Sequence, residues 1–226
     1  MSTNDPITAT NGANEETIAY TSPMATVTST VPSWARWWRQ VAFIPSLHNR
    51  WLTPTAQQQL NQAITEAEQG HRGEVVLVIE NHLPISSARL QNSRDRAIEV
   101  FGDYRVWDTQ DNTGVLVYLN ICERRLEIVA DRGINSHVMP TMWQAMCDKA
   151  IEGIKANRHI DSLVALLGDV GQLLRQYYQL DNDPSGNEIA DRMIFILNLH
   201  IAMMQSYQKQ CHPLLFFIAQ LLLLNF

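Results

Sequence analysis

The amino-acid sequence predicts an α/β fold: a single three-layer domain in which a mixed β-sheet carries helices on both faces. Three observations lead there. GEVVLVIE, residues 73 to 80, is an apolar run of strand length rich in β-branched residues, as a strand covered on both faces requires. A mixed helical stretch, about Ala88 to Phe101, separates it from a second such run, Val115 to Ile121. Strand, helix, strand in that order implies a parallel pair joined by a right-handed crossover. After a tight polar turn at Glu123-Arg124, residues Arg125 to Ala130 alternate in polarity, which predicts an antiparallel hairpin with the second strand.

Length and composition agree with one core. The chain has 226 residues, 46% of them apolar, enough for one substantial domain with tails. A formal charge of -6 and a pI near 5.6 leave no basic stripe for a phosphate backbone, so nucleic acid is not expected as a partner. Cys122, Cys147 and Cys211 are odd in number and form no CxxC pair, which fits reduced thiols rather than a disulfide framework or a zinc site. Residues 1 to 35 contain neither Lys nor Arg nor an apolar run, so both parts of a secretory signal are missing. A reducing, cytoplasmic location is the expectation, with the chain peripheral at the inner membrane if it meets one.

Taken in order, residues 1 to 33 are crowded with Ser, Thr, Asn and Pro and read as a disordered leader, because they hold too few large apolar groups to offset the entropy of ordering. The domain is expected over residues 34 to 192. Its first segment, SWARWWRQVAFIPSLHNRWL from Ser33 to Leu52, holds four of the six tryptophans with Arg36, Arg39 and Arg50 between them. Trp34, Trp37 and Trp38 beside arginines suit a membrane interface or a partner surface. The competing reading is a hydrophobic flap lying over the domain. Pro45 breaks any helix through this region. Thr53-Pro54 is an N-cap followed by proline at the first helical position, and Ala56, Leu60, Ala63, Ile64 and Ala67 repeat at helical spacing until Gly70. Beyond the hairpin, helices are predicted over about Pro140 to Ala156 and Ile160 to Tyr178 from their apolar periodicity. Gly168 and Gly171 within the second are expected to allow close packing. Asp181 to Gly186 is a loop. The segment from Met193 to Phe226 carries Lys209 as its only permanent charge. Its two apolar runs, MIFILNLHIAMM and LLFFIAQLLLL, are each shorter than the ~20 residues of a transmembrane helix, and its structure is left open.

The candidate site lies where WDTQDNTGVLVYL, residues 107 to 119, enters the second strand. In an antiparallel hairpin the end of one strand lies against the beginning of its partner. Counting back from the turn sets Gly133 opposite about Gly114, and strands run roughly 4.8 Å apart. Asp131 and Arg132 are thereby expected beside Asp108, Asp111 and Asn112. Carboxylates and an amide so grouped can hold Ca²⁺ or Mg²⁺, which take several oxygen ligands. The loop does not follow the EF-hand pattern, since Gln110, Thr113 and Leu119 stand at three of its required positions. Plain turn chemistry explains the same residues, because Asp and Asn favour turns and Gly114 permits close backbone approach. His137 is placed to approach the cluster as an acid or base, or to serve as a capping or surface residue. GxSxG, GxxxxGK[ST], a GxGxxG after a strand and HExxH do not occur in the sequence, which removes the common nucleophile, phosphate-cradle, dinucleotide and zinc-protease signatures.

VFGDYRVWDTQDNTGVLVYLNICERRLEIVADRGI, with the GEVVLVIE strand before it and the two helices after it, resembles the TPM domain family over about Arg36 to Arg192. Its specific parts are the Asn-x-Gly-Val-Leu start of the second strand, the Glu-Arg-Arg turn and the Ile-Val-Ala-Asp-Arg-Gly-Ile exit. The chain looks most like the short bacterial branch without a signal peptide, whose members accompany longer, membrane-anchored TPM proteins. The resemblance implies a sheet with helices on both sides. For activity it implies weak acid phosphatases, divalent-cation binders or non-enzymatic accessories of membrane complexes, and fold alone does not choose among them. Where the family often has Asp-Asn-Gly, this chain has Asp111-Asn112-Thr113-Gly114, and residues after Arg192 fall outside the pattern. The expectation is a non-catalytic or weakly catalytic accessory module near a membrane system. Its contact surfaces are Trp34, Trp37, Trp38 and the C-terminal arm, its partner a membrane surface or a membrane-anchored TPM paralogue. The rival expectation is a metal-assisted phosphomonoester hydrolase, with Asp111, Asn112 and Asp131 holding the ion and Arg132 or Arg125 meeting the phosphate of a small ester.

Overall fold

The computed structural model describes residues 31–179 and 193–196. Most of the expected leader, the 181–186 loop and the chain beyond residue 196 lie outside the described residues. The elements run α1 (Trp34–Ala42), α2 (Pro45–His48), α3 (Pro54–Ala67), β1 (Val75–Glu80), α4 (Ser93–Asp103), β2 (Val115–Asn120), β3 (Arg125–Ala130), α5 (Arg132–Asn135), α6 (Pro140–Lys155), α7 (His159–Tyr178) and β4 (Ile194–Ile196).

Their strands form one mixed sheet in the order β3-β2-β1-β4. β1 and β2 are parallel, with Val75 beside Val115, while β2 and β3 are antiparallel, with Val115 beside Ala130. The α/β expectation holds, and the three layers follow from side-chain alternation. On one face Val76, Val78, Leu116, Tyr118 and Val129 pack with Ala97, Val100 and Phe101 of α4. On the other, Val75, Leu77, Ile79, Val117, Leu119 and Ile128 meet Leu60 and Ile64 of α3, Trp143 and Met146 of α6, and Leu163, Leu167 and Leu174 of α7. Because β1 and β2 are fully buried along their length, they read as continuous apolar runs rather than alternating ones.

Four local features differ from the sequence expectation, each for a visible reason. Residues 85–90 are turns, and α4 starts only at Ser93, because Asn92 and Asp95 form a reciprocal capping box there that satisfies two otherwise unpaired N–H groups. The hairpin reversal uses four residues, Ile121 to Arg124, since Asn120 already pairs with Arg125; Arg124 takes the left-handed conformation at φ 53°. Ile194–Ile196, read as part of the tail, joins the sheet beside β1, anchored by the Met193 N–H on Asn61 Oδ1 at 2.8 Å. Gly171 permits close packing as expected, since a Cβ there would sit 2.5 Å from the Ala67 carbonyl oxygen, but Gly168 faces open space.

Pro45 begins a second helix two residues past the Phe43 cap of α1, sitting at the first position of α2, where its missing N–H costs nothing. Among the described residues, no helix is long and apolar enough to cross a membrane.

Candidate functional site

The hairpin register decides which polar residues meet. Asp131, not Gly133, lies opposite Gly114: its N–H donates to the Gly114 carbonyl at 2.8 Å. The offset of two residues follows from the four-residue reversal at the other end of the hairpin. Gly133 reaches further and donates its N–H to the Asn112 carbonyl at 2.9 Å. Two close approaches lock the arrangement. A Cβ on Gly133 would stand 2.3 Å from the Asp111 carbonyl oxygen and 2.5 Å from that of Asn112, and one on Gly114 would stand 1.7 Å from the Val106 carbonyl oxygen. Neither distance is open to a side chain. Asn112 takes a left-handed φ of 55°, a conformation in which Asn is enriched.

Asp111, Asn112, Asp131 and Arg132 are therefore neighbours at one sheet edge. Arg132 Nε donates to Asn112 Oδ1 at 3.1 Å. Asp111 Oδ2 receives Arg72 Nη1 at 3.4 Å, a partly exposed ion pair. The Asp131 side chain caps α5, accepting the Arg132 N–H on Oδ1 at 2.7 Å. Its Oδ2 is buried and has no hydrogen-bond partner among the described residues, although the residue is only 6% exposed. Asp108 is exposed, three positions before Asp111, and gives its N–H to the Arg105 carbonyl at 2.9 Å. Among the described residues no group of three or more His, Cys, Asp or Glu side chains is close enough to hold a metal ion; any oxygen cage here includes Asn112 and backbone carbonyls.

Arg125 does not join them. It is exposed at the opposite end of β3, paired with Asn120, about 20 Å from Asp131 at the usual rise per strand residue. A phosphate meeting Arg132 cannot also meet Arg125.

The structure adds residues that the hairpin argument did not reach. Thr113 is fully buried; its N–H donates to Thr109 Oγ1 at 2.9 Å and its hydroxyl donates to the Arg72 carbonyl at 3.1 Å. Thr113 thus ties the loop to the residues before β1. Arg72 was within reach of sequence reasoning, because parallel strands in register bring the residues that precede them together. Tyr178 was not, since it arrives from the far end of α7. Partial burial pushes its hydroxyl pKa up, and the nearby Asp111 carboxylate adds to the shift. His137 stacks on Tyr177 at 5.1 Å and meets Tyr178 edge-on at 5.8 Å, so it joins an aromatic group flanking this edge.

Among the described residues, neither cysteine is an activated thiol. Cys122 and Cys147 are buried and free, and burial pushes each thiol up to about 12, far from the thiolate that a nucleophile needs.

Of the three tryptophans, Trp34 and Trp38 are exposed while Trp37 is half-buried between them, at ring distances of 6.0 and 4.9 Å. The same segment also behaves as a flap. Gln40, 1% exposed, accepts the Leu83 N–H at 2.9 Å and donates to the Glu123 carboxylate.

With fold and edge in view, comparison with known proteins gives a consistent class. The TPM domain matches residues 48–165, just over half of the chain, and the chain belongs to that family. Among solved structures it is similar to the BA42 protein from the psychrophilic bacterium Bizionia argentinensis, determined by NMR, with a TM-score of 0.56 and 22% identity over 64% of this chain and 94% of that one. That likeness concerns the fold. No curated protein matches the sequence.

Proposed function

We propose that this chain is a non-catalytic or weakly catalytic accessory module of the TPM family, working beside a membrane system and taking Ca²⁺ or Mg²⁺ where the Asp111 loop meets the end of β3. The observation that carries the cation reading is the second carboxylate oxygen of Asp131, buried without a donor. A buried acceptor left unpaired costs about 1–3 kcal/mol, more when charged. A hard cation suits the donors beside it, which are carboxylate, amide and carbonyl oxygens. Asp131, Asp111 and Asn112 would hold the ion, with Asp108 at the outer side of the loop; Arg72 and Arg132 would give up their present bonds to those oxygens. The partner under this reading is a membrane surface or a membrane-anchored TPM paralogue, met from the cytoplasmic side of the inner membrane.

Thermal unfolding with added Ca²⁺ or Mg²⁺ tests it, because a ligand that prefers the folded state raises stability by about 2.7 kcal/mol at a hundred times its Kd. The midpoint should rise with either ion and stay still in Asp131→Asn. No rise at millimolar ion overturns the cation reading.

A second reading, a phosphomonoester hydrolase acting on a small phosphate ester, draws support from Arg132, whose guanidinium lies at the same edge. A bound ion would supply polarisation of the phosphoryl group and a lowered pKa for a bound water; Arg132 would orient the ester through paired N–H donors. If Asp111→Ala and Asp131→Ala turn over p-nitrophenyl phosphate as fast as the unaltered chain, this reading is dropped.

A further inference from the structure

Trp34 and Trp38 stand one helical turn apart, 60% and 53% exposed, with Val31 (78%) before them and Leu90 (56%) beside them on a separate segment. Residues four apart share a helix face, so this is one surface. The loop bearing Leu90 is stapled to it: Ser33 N–H donates to the Arg89 carbonyl at 2.8 Å, and the Arg36 guanidinium donates to the Ala88 and Arg89 carbonyls at 2.8 and 3.1 Å. Arg89 in turn lays its guanidinium 4.7 Å from the centroid of the Trp34 ring. The indoles brace one another edge-to-face, so the platform is ordered before it meets anything.

Its charge is as distinctive as its apolarity. Residues 31–52 and 81–94 contain Arg36, Arg39, Arg50, Arg89 and Arg94 and no acid, in a chain of formal net charge -6; Arg39 pairs with Glu123 at 3.6 Å and Arg94 with Glu127 at 3.8 Å on the domain side, which leaves Arg89, over the Trp34 ring, as the cation of the outer face. The opposite side of α1 faces the domain through Gln40, and Phe43, just after the helix, turns inward as well, both buried. The helix therefore has a fixed inner face and a free outer one.

We infer that the platform made by α1 and the 84–91 loop docks on an anionic lipid surface, with Trp34 and Trp38 at headgroup depth, Val31 and Leu90 towards the acyl boundary, and Arg89 facing lipid phosphates. Rings with a polar N–H edge and a cation at the same height match the layering of a bilayer interface. This deepens the membrane side of the preceding proposal and rests on it, but not on its cation site.

Flotation of the full chain with phosphatidylcholine vesicles, with and without phosphatidylglycerol, tests it. Binding is expected on the anionic vesicles, weakening with salt because the field is screened. Trp34→Ser with Trp38→Ser should weaken it at least about tenfold, the size of one modest anchor. Arg89→Gln should narrow the preference for phosphatidylglycerol. All variants should remain folded by circular dichroism and keep the unaltered rise in melting point on adding cation, which separates failure here from failure of the cation reading. A chain that stays in solution with both vesicles, a protein being then the platform's occupant, overturns the proposal. So does a double-Trp variant that floats like the unaltered chain, since another segment would then carry the lipid contact.

Discussion

Asp131 is the residue on which the candidate site turns, and its environment is unbalanced: one carboxylate oxygen caps α5 while the other is buried without a donor. Removing the charge while keeping the shape should therefore be tolerated better than truncation. Asp131→Asn keeps an acceptor for the Arg132 N–H and turns the orphaned oxygen into an amide group; Asp131→Ala loses the cap, at a cost of about 0.5–2 kcal/mol. Urea unfolding of the two variants without added ion should rank Asn above Ala, and equal stability would mean that the cap contributes nothing. His71 offers a test by pH. It is buried between α3 and β1, its Nε2–H donating to the Ala67 carbonyl at 2.5 Å and its Nδ1 accepting the Gly73 N–H at 3.0 Å. Burial holds its pKa below the ordinary 6.5, against the opposing effect of the Ala67 carbonyl. The unfolded chain then binds the proton first as pH falls, so this contribution is complete above 6.5 and is lost as pH falls through the folded value. Chemical unfolding between pH 5 and 7.5, read as about one proton at most per chain, should show a slope that His71→Gln flattens.

At the scale of elements, glycines separate two kinds of contact. α3 and α7 approach so closely that a Cβ on Gly171 would meet the Ala67 backbone, whereas one on Gly168 would meet nothing within 4 Å. Gly171→Ala should cost about 1–3 kcal/mol by overpacking, while Gly168→Ala, one turn earlier in the same helix, should gain about 0.5–1 kcal/mol from helix propensity. Equal effects in urea unfolding would mean that the two helices are not in contact at Ala67. α4 is held to the sheet by a different means. Glu80, fully buried at the end of β1, receives the Arg96 guanidinium at 3.0 and 3.2 Å and the Tyr118 hydroxyl, and Asn120 donates to Tyr118 at 3.0 Å. Removing one partner of such a buried pair strands the other charge, so Arg96→Met should cost about 3–5 kcal/mol, and adding Glu80→Leu should recover part of it. A double-mutant cycle measures the recovery.

On the scale of the whole molecule, the sheet extends past the point where the sequence suggests a tail. The Asn81 N–H donates to the Ile196 carbonyl at 3.3 Å, and Val78 to Glu80 have β4 as their outer neighbour. A chain ended at Arg192 should be less stable than one ended at Ile196, and its Asn81 amide should exchange faster with solvent, because the β1 edge is then open. Similar exchange in both would mean that β4 adds nothing to the sheet.

The sequence by itself determined the α/β class, the parallel crossover, the hairpin and the family, because periods of two and of 3.6 residues and the residues that stop them are local quantities. It also brought Asp111 and Asp131 to one edge, since antiparallel pairing makes separation along the chain a guide to proximity. Only the tertiary structure decided the register, where a four-residue reversal moved Gly133 from Gly114 to Asn112 and left Arg125 at the far end of β3. It alone decided that Arg72 pairs with Asp111, that Tyr178 comes up beside it from α7, that Ile194–Ile196 completes the sheet, and that Trp34 and Trp38 point outward while Trp37 lies between them. These are contacts between residues distant in sequence, and their free energy comes from packing and desolvation that no local pattern encodes.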